Sequence, residues 1–318
     1  MKCDKRIVGY YSSWQNRYLV EDQISNFTHL IFAFAEMNSD GQLSIDHKKD
    51  MFLILKEKAR RADVKVMIST DYYFRVFIEA VVQFINRYRI DGVDFNFEWS
   101  KNQKDKADDV ILLKEIRTRL DKEAKLSGRS PYTVSMMVPS TNLDPDDEIY
   151  LNALLGYLDF MSFHTMNYYK YWKYAPNPYG KPPPSVYSES PKPRVNQKLN
   201  YLACTTRTPS KLNIPVNFYK FIETNASKQT FLPWGHRPDS EKELKEYDDE
   251  ERHTFDYDLF ENEKHVQGSM FFTFRRDFGG VAIWSIEFDD NEMTLTNAVV
   301  TGTKKFCSKT RDKIYYDC

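Results

Sequence analysis

The 318-residue chain contains no apolar run approaching the ~18 residues that a membrane-spanning helix needs. It also lacks a charge imbalance: 45 Lys plus Arg face 46 Asp plus Glu, a formal net charge of -1. A nucleic-acid binder needs a basic surface to release phosphate counterions, so that class is set aside. Cysteine is scarce. Cys3, Cys204, Cys307 and Cys318 show no zinc-site spacing with a histidine, and neither a metal nor a cofactor is expected. No glycine-rich phosphate loop follows the first candidate strand, which argues against a doubly wound nucleotide-binding sheet. No internal repeat is visible. What the chain does have is 29% charged beside 41% hydrophobic residues, the composition of a soluble globular protein, and 5 Trp, 21 Tyr and 22 Phe.

Four cysteines allow three pairings; Cys307 with Cys318 would close a short loop in the polar C-terminal segment, and four reduced thiols are the alternative. Asn26-Phe27-Thr28 and Asn225-Ala226-Ser227 fit the glycosylation acceptor pattern, although such tripeptides also arise by chance. Met1-Lys2-Cys3-Asp4 has no apolar leader core, so the chain reads either as a mature form or as one that stays inside the cell. The acceptor sites tip the expectation to a secreted glycoprotein.

Short β-branched, apolar or aromatic runs recur along the chain: Ile7 to Tyr11, His29 to Ala35, Lys65 to Ser69, Gly92 to Phe97, Thr133 to Val138, Phe160 to Thr165, Leu212 to Val216 and Gly280 to Ile286. Between them lie stripes at helical spacing, such as Phe74, Phe77, Val81 and Ile85, or Leu113, Ile116, Leu120 and Ala124. Strands alternating with helices make parallel βαβ units. Eight such strands predict an α/β fold, a closed (β/α)8 TIM barrel. The expected barrel covers residues 1–302, with a small insertion at 217–268 between the seventh and eighth strands and a polar tail at 303–318. The Pro-rich stretch 172–195 reads as a long loop, and Asp239 to Arg252 as an acidic, solvated helix.

The densest chemistry is Asp91-Gly92-Val93-Asp94-Phe95-Asn96-Phe97-Glu98-Trp99. On a strand, Asp94, Asn96 and Glu98 share one face and Val93, Phe95 and Phe97 the other. The apolar face must lie under the helices, so the polar face points into the barrel and rises to its C-terminal mouth, where this fold places its sites. Buried carboxyls held by hydrogen bonds acquire raised pKa values and serve as general acids.

These residues resemble the signature of glycoside hydrolase family 18, the chitinases and chitinase-like proteins: D-G-x-D-x-D-x-E in the family is D-G-V-D-F-N-F-E here. Gly9 to Trp14, Phe27 to Phe34, Tyr132 to Pro139, Phe260-Glu261-Asn262, Ser269 and Gly279 to Ile286 match other family segments. The resemblance implies that Glu98 takes the place of the acid that protonates the glycosidic oxygen. The substrate's own acetamido oxygen then attacks, a retaining, substrate-assisted route. It also implies that Asn96 stands where an aspartate stabilises the oxazolinium intermediate. Losing such electrostatic help costs ~10²- to 10³-fold in rate.

Further departures follow from the same resemblance. The family's Met-x-Tyr-Asp reads His164-Thr165-Met166-Asn167, with Trp172 falling where the family often has Trp; a two-residue slip would offer Tyr168 instead. Tyr-Gly-Arg reads Tyr219-Lys220-Phe221. The Ser-x-Gly-Gly-Trp loop after the third strand is missing beyond Ile68-Ser69-Thr70-Asp71, and Met136 and Met137 replace small residues. Tyr10, Trp14 and Trp284 occupy cleft-lining positions suited to stacking on sugar rings. His29 and His164 read as satisfied core histidines.

Three readings result. The first is a chitinase-like pseudoenzyme with little or no hydrolysis that binds chitin or N-acetylglucosamine oligosaccharides. The second is a slow but true chitinase using Glu98. The third is a non-catalytic barrel acting as a protein-interaction module. The substrate-binding residues expected for the first are Tyr10, Trp14, Met166, Asn167 and Trp284, beside the catalytic positions Glu98, Asp94 and the degenerate Asn96.

Overall fold

The computed structural model describes residues 4–12, 18–71, 77–97, 99–139, 147–164, 201–225, 228–233, 266, 269–271, 273–274 and 276–307. Eight parallel strands carry the architecture: β1 (Arg6–Ser12), β2 (His29–Met37), β3 (Lys65–Asp71), β4 (Gly92–Asn96), β5 (Thr133–Pro139), β6 (Phe160–His164), β7 (Leu212–Asn217) and β8 (Gly280–Trp284). Each pairs with its neighbour in sequence, and β8 returns to β1, so the sheet closes on itself. Each of the eight expected strands lies within or overlaps one of these. The fold is the (β/α)8 barrel.

Around it run α1 (Lys49–Arg61), α2 (Phe77–Tyr88), α3 (Gln103–Ser127), α4 (Glu148–Tyr157) and α5 (Thr294–Cys307). Their apolar stripes meet the barrel: Val81 and Ile85 of α2, and Leu113, Ile116, Leu120 and Ala124 of α3, are buried. The Asn102 side chain accepts the Asp105 backbone N–H at 2.9 Å to start α3, and Gly128 ends it in the left-handed region at φ 65°. α5 takes up the first residues of the expected tail. In the expected insertion, Tyr219–Asn225 and Lys228–Pro233 form an antiparallel pair. The proline-rich stretch 172–195, the acidic segment Asp239 to Arg252 and Phe74 lie outside the described residues.

The start of β4 shows why Asp91 and Gly92 precede the polar ladder. The Asp91 carboxylate accepts the N–H of Val66 at 2.8 Å, and its carbonyl accepts that of Thr133 at 2.8 Å, fixing β4 between β3 and β5. A Cβ on Gly92 would stand 2.1 Å from the Thr133 carbonyl oxygen, a backbone atom that cannot yield without moving β5. Gly92→Ala should therefore cost roughly 3 kcal/mol of stability in denaturant unfolding. A loss under ~0.5 kcal/mol would show that the close approach is not needed.

Candidate functional site

Asp94 is fully buried and accepts hydrogen bonds from three strands: Ser69 of β3 at 2.9 Å, Ser135 of β5 at 2.5 Å and the Tyr10 hydroxyl of β1 at 3.2 Å. Ser69 and Ser135 are its register partners, whereas Tyr10 reaches it across the barrel. Only an inward-facing side chain can meet all three, so Asp94, and with it Asn96 two residues on, lies on the inward face of β4 as strand alternation predicts. Burial pushes the Asp94 carboxyl up to about 6, against the pull of the hydroxyls of Ser135, Ser69 and Tyr10. Burial, then the neighbouring Asp94 charge, pushes the Tyr10 phenol well above its ordinary range.

A polar file continues below Tyr10. Ser162 works against burial at Tyr10, favouring the charged form of the phenol. The Ser162 oxygen accepts from the Asn213 side-chain amide at 3.2 Å, and the Asn213 oxygen accepts from Arg6 Nε at 3.0 Å. Arg6 also donates to the Ser210 carbonyl at 2.6 Å and lies 5.2 Å from the Phe160 ring centroid. Burial lowers its pKa to about 10, so it is a cation at neutral pH. None of Arg6, Ser69, Ser135, Ser162 or Asn213 was singled out from sequence. The available signal was a polar residue on the inward register of a strand that is otherwise apolar.

Above Asp94, Asn96 is half-buried on the same face of β4 and pairs in register with Asp71 and Met137. Met137 shares the inward face of Ser135, while Met136 pairs with Phe95 on the outward face; both are buried. Trp284 is 6% exposed, with ring centroids 5.6 Å from Tyr10 and 5.9 Å from Phe34. The structure thus brings Tyr10, Asp94, Asn96 and Trp284 together. Tyr10 is 1% exposed and spends its hydroxyl on Asp94, so it supports the site from beneath. Glu98, Trp14, Met166, Asn167, Tyr168 and Trp172 lie outside the described residues.

The two histidines differ. His29 Nδ1 pairs with the Thr28 hydroxyl at 2.9 Å, and burial together with Lys65 and Arg6 lowers its pKa to about 3. His164, on the inward register of β6 at the mouth, is buried with Nδ1 lacking a hydrogen-bond partner, and burial lowers its pKa to about 4. The expectation of a satisfied histidine fails for His164, because it ends a strand whose polar contacts lie one layer lower, at Ser162. Glu287, missed in the sequence, follows β8 and accepts from the Ser12 backbone N–H at 2.9 Å and from the Ser12 hydroxyl. Burial pushes its carboxyl up to about 7. Among the described residues no group of His, Cys, Asp and Glu could hold a metal ion. Cys204 and Cys307 are each disulfide-bonded, which replaces the reduced-thiol alternative at both positions; Cys3 and Cys318 lie outside the described residues.

The family model for glycosyl hydrolases family 18 matches residues 6–289. The chain belongs to that family. Among curated relatives, the "Probable endochitinase" of Caenorhabditis elegans is 21% identical over 91% of this chain and 57% of its own length; the chain thus spans little more than half of that relative. Among solved structures, a chitinase-like agglutinin from Robinia pseudoacacia superposes with a TM-score of 0.70 at 19% identity, covering 93% of this chain and 99% of that one. A mutant form of a class V chitinase from Nicotiana tobaccum in complex with NAG4 gives 0.71 at 17% identity, with 94% and 99% covered. These likenesses agree with the barrel; at such identities they speak to the fold alone.

The buried groups of this family 18 site oppose one another in their effect of pH on stability. Asp94 is raised from 3.8 to about 6, so between these values the folded chain keeps a proton that the unfolded chain releases, and stability falls by ~3 kcal/mol as pH rises. His164 is lowered from 6.5 to about 4, so the unfolded chain binds the extra proton and stability rises with pH over that window. Asp94→Asn should steepen the rise of unfolding free energy between pH 4 and 6.5, whereas His164→Met should turn it toward a fall. Profiles parallel to the parent chain in both variants would contradict the burial account.

Proposed function

We propose that the chain binds oligosaccharides of N-acetylglucosamine at the barrel mouth and hydrolyses them at a rate near background. The observation that carries this reading is Asn96. It stands directly above the caged Asp94, where the family resemblance implies a second carboxylate. A positive oxazolinium forming there needs a negative charge held in place. An amide offers a dipole but no charge, and it cannot share a proton with Glu98. The preorganised help so lost is worth ~10²- to 10³-fold in rate. Trp284, beside Tyr10 and Phe34, supplies an aromatic wall suited to the apolar C–H faces of a pyranose. The complex of the Nicotiana chitinase with NAG4 supports this ligand class for a barrel of the same shape. The disulfide-bonded Cys204 and Cys307 support an oxidising, extracellular setting.

One feature favours the second reading, a slow but true chitinase. The hydroxyl cage of Asp94 is complete, whereas a barrel released from sugar chemistry has no need to keep a buried acid, with its cage, at that position.

Calorimetric titration with an N-acetylglucosamine hexamer, followed by product analysis of the same mixture, separates the readings. Saturable binding with intact hexamer is the expected result. Turnover at ordinary chitinase rates, abolished by Glu98→Gln, would make the chain an enzyme; no binding would overturn the proposal.

The reversal experiment asks how local the loss is. Asn96→Asp with Met166→Tyr restores the charge and the acetamido grip that the family resemblance implies. Weak recovery is expected, well short of an ordinary chitinase, because the short connection after Asp71 and Phe221 in place of Arg leave the cleft different elsewhere. Full recovery, measured on a chitin oligosaccharide, would confine the loss to those two side chains.

A further inference from the structure

His164 is 5% exposed, and its Nδ1 has no hydrogen-bond partner. A buried polar atom left unpaired lowers stability, so its presence calls for an explanation. Inward neighbours do not share the condition: Asp94 is bonded to Ser69, Ser135 and Tyr10, and Asn213 joins Ser162 to Arg6. The strand registers show what His164 faces. In a (β/α)8 barrel the strands tilt, so each step along the ladder to the next strand descends by one residue. Four side chains from alternate strands then make one layer. Asn96 pairs with Met137 and Met137 with Ser162, so two residues beyond Ser162, at His164, β6 is back at the height of Asn96. The ladder runs on from Ser162 through Asn213 to Gly280, which by the same count sets His164 level with Trp284 on β8. Trp284 pairs with Tyr10 and Tyr10 with Ile31, which brings in Ala33 on β2. Ala33 in turn pairs with Ser69 and Ser69 with Asp94, two residues below Asn96, so the layer closes. Its members are Ala33, Asn96, His164 and Trp284.

We infer that His164 is a sugar-contacting residue, its Nδ1 hydrogen-bonded to the acetamido group that the proposed ligand lays over Asn96. This rests on the sugar-binding reading and adds to it a determinant of specificity. A sugar with its acetamido group over Asn96 and its ring against Trp284 covers the layer to which His164 belongs. An acetamido group carries an N–H donor and a carbonyl acceptor side by side, so it can pair with Nδ1 whether or not that nitrogen holds the proton. Burial keeps the imidazole neutral at pH 7. A neutral ring adds a hydrogen bond but no charge, so it grips the acetamido group without supplying the carboxylate that position 96 lacks. Methionine, which the family resemblance aligns with His164, is at best a weak acceptor, and it is the natural replacement for a test.

The test follows the ring nitrogens of His164 by NMR in the whole chain, isotope-labelled at histidine, with the signals assigned by their loss in His164→Met. On adding the N-acetylglucosamine hexamer at pH 7, the Nδ1 signal should move and saturate along the calorimetric binding curve. His164→Met should bind the hexamer roughly fivefold to tenfold more weakly. The same variant should unfold at an equal or higher denaturant concentration, since it no longer buries an unpaired atom. Weaker binding without a loss of stability is a pair of changes that a packing role does not give. His164→Gln keeps a hydrogen-bonding end and should recover part of the affinity. Hexamer binding that leaves the His164 signals in place, or an affinity of folded His164→Met equal to the parent's, would overturn the inference and leave the sugar-binding reading standing. If His164→Met is less stable or does not fold, the ring signals of the parent chain decide alone. A parent chain that binds no hexamer would sink the sugar-binding reading and this contact with it.

Discussion

A carboxyl group at the centre of a closed barrel must be hydrogen-bonded from several strands at once, and the rest of this site follows from how Asp94 meets that requirement. No single neighbour could compensate its desolvation. Ser69, Ser135 and Tyr10 do so together, which fixes the register of β1, β3, β4 and β5 relative to one another. A slip of one residue in β1, β3 or β5 would turn its hydroxyl to the helices and leave Asp94 short of a donor. Fold and site therefore share one constraint. The barrel keeps its shape partly because the acid must be satisfied, and the barrel in turn keeps water from the acid.

That constraint divides the Asp91 to Glu98 stretch into parts with different duties. Asp91 and Gly92 belong to construction: one pins the neighbouring strands, the other permits a backbone approach that no side chain would allow. Asp94 belongs to both duties. Asn96 stands nearer the mouth and is half-exposed. The proposed loss of hydrolysis is thus a change at a half-exposed position and not in the caged acid.

The barrel was legible because strand and helix periodicities are local. Alternation in β4 was enough to put Asp94 and Asn96 on one inward face, and the stripes of α2 and α3 were enough to bury Val81, Ile85, Leu113 and Ile116. What escaped was non-local. Ser69 and Ser135 mean nothing until β3 and β5 flank Asp94, and Arg6, Asn213 and Ser162 form a file only after β1, β6 and β7 converge. Glu287 met Ser12 only because β8 closes on β1. His164 was misjudged for a related reason: a polar side chain ending a strand was assumed to find a partner, and the inward residue that does so on β6 is Ser162.

The central claim is that a sugar with an acetamido group sits over Asn96 and is not cleaved there. A crystal of the unmodified chain soaked with an N-acetylglucosamine tetramer at neutral pH tests it most directly. The account predicts continuous density for an unbroken tetramer along the barrel mouth, with one acetamido group within hydrogen-bonding distance of Asn96 and a pyranose ring against Trp284. A mouth empty of sugar, or shortened products bound in place of the tetramer, would contradict it.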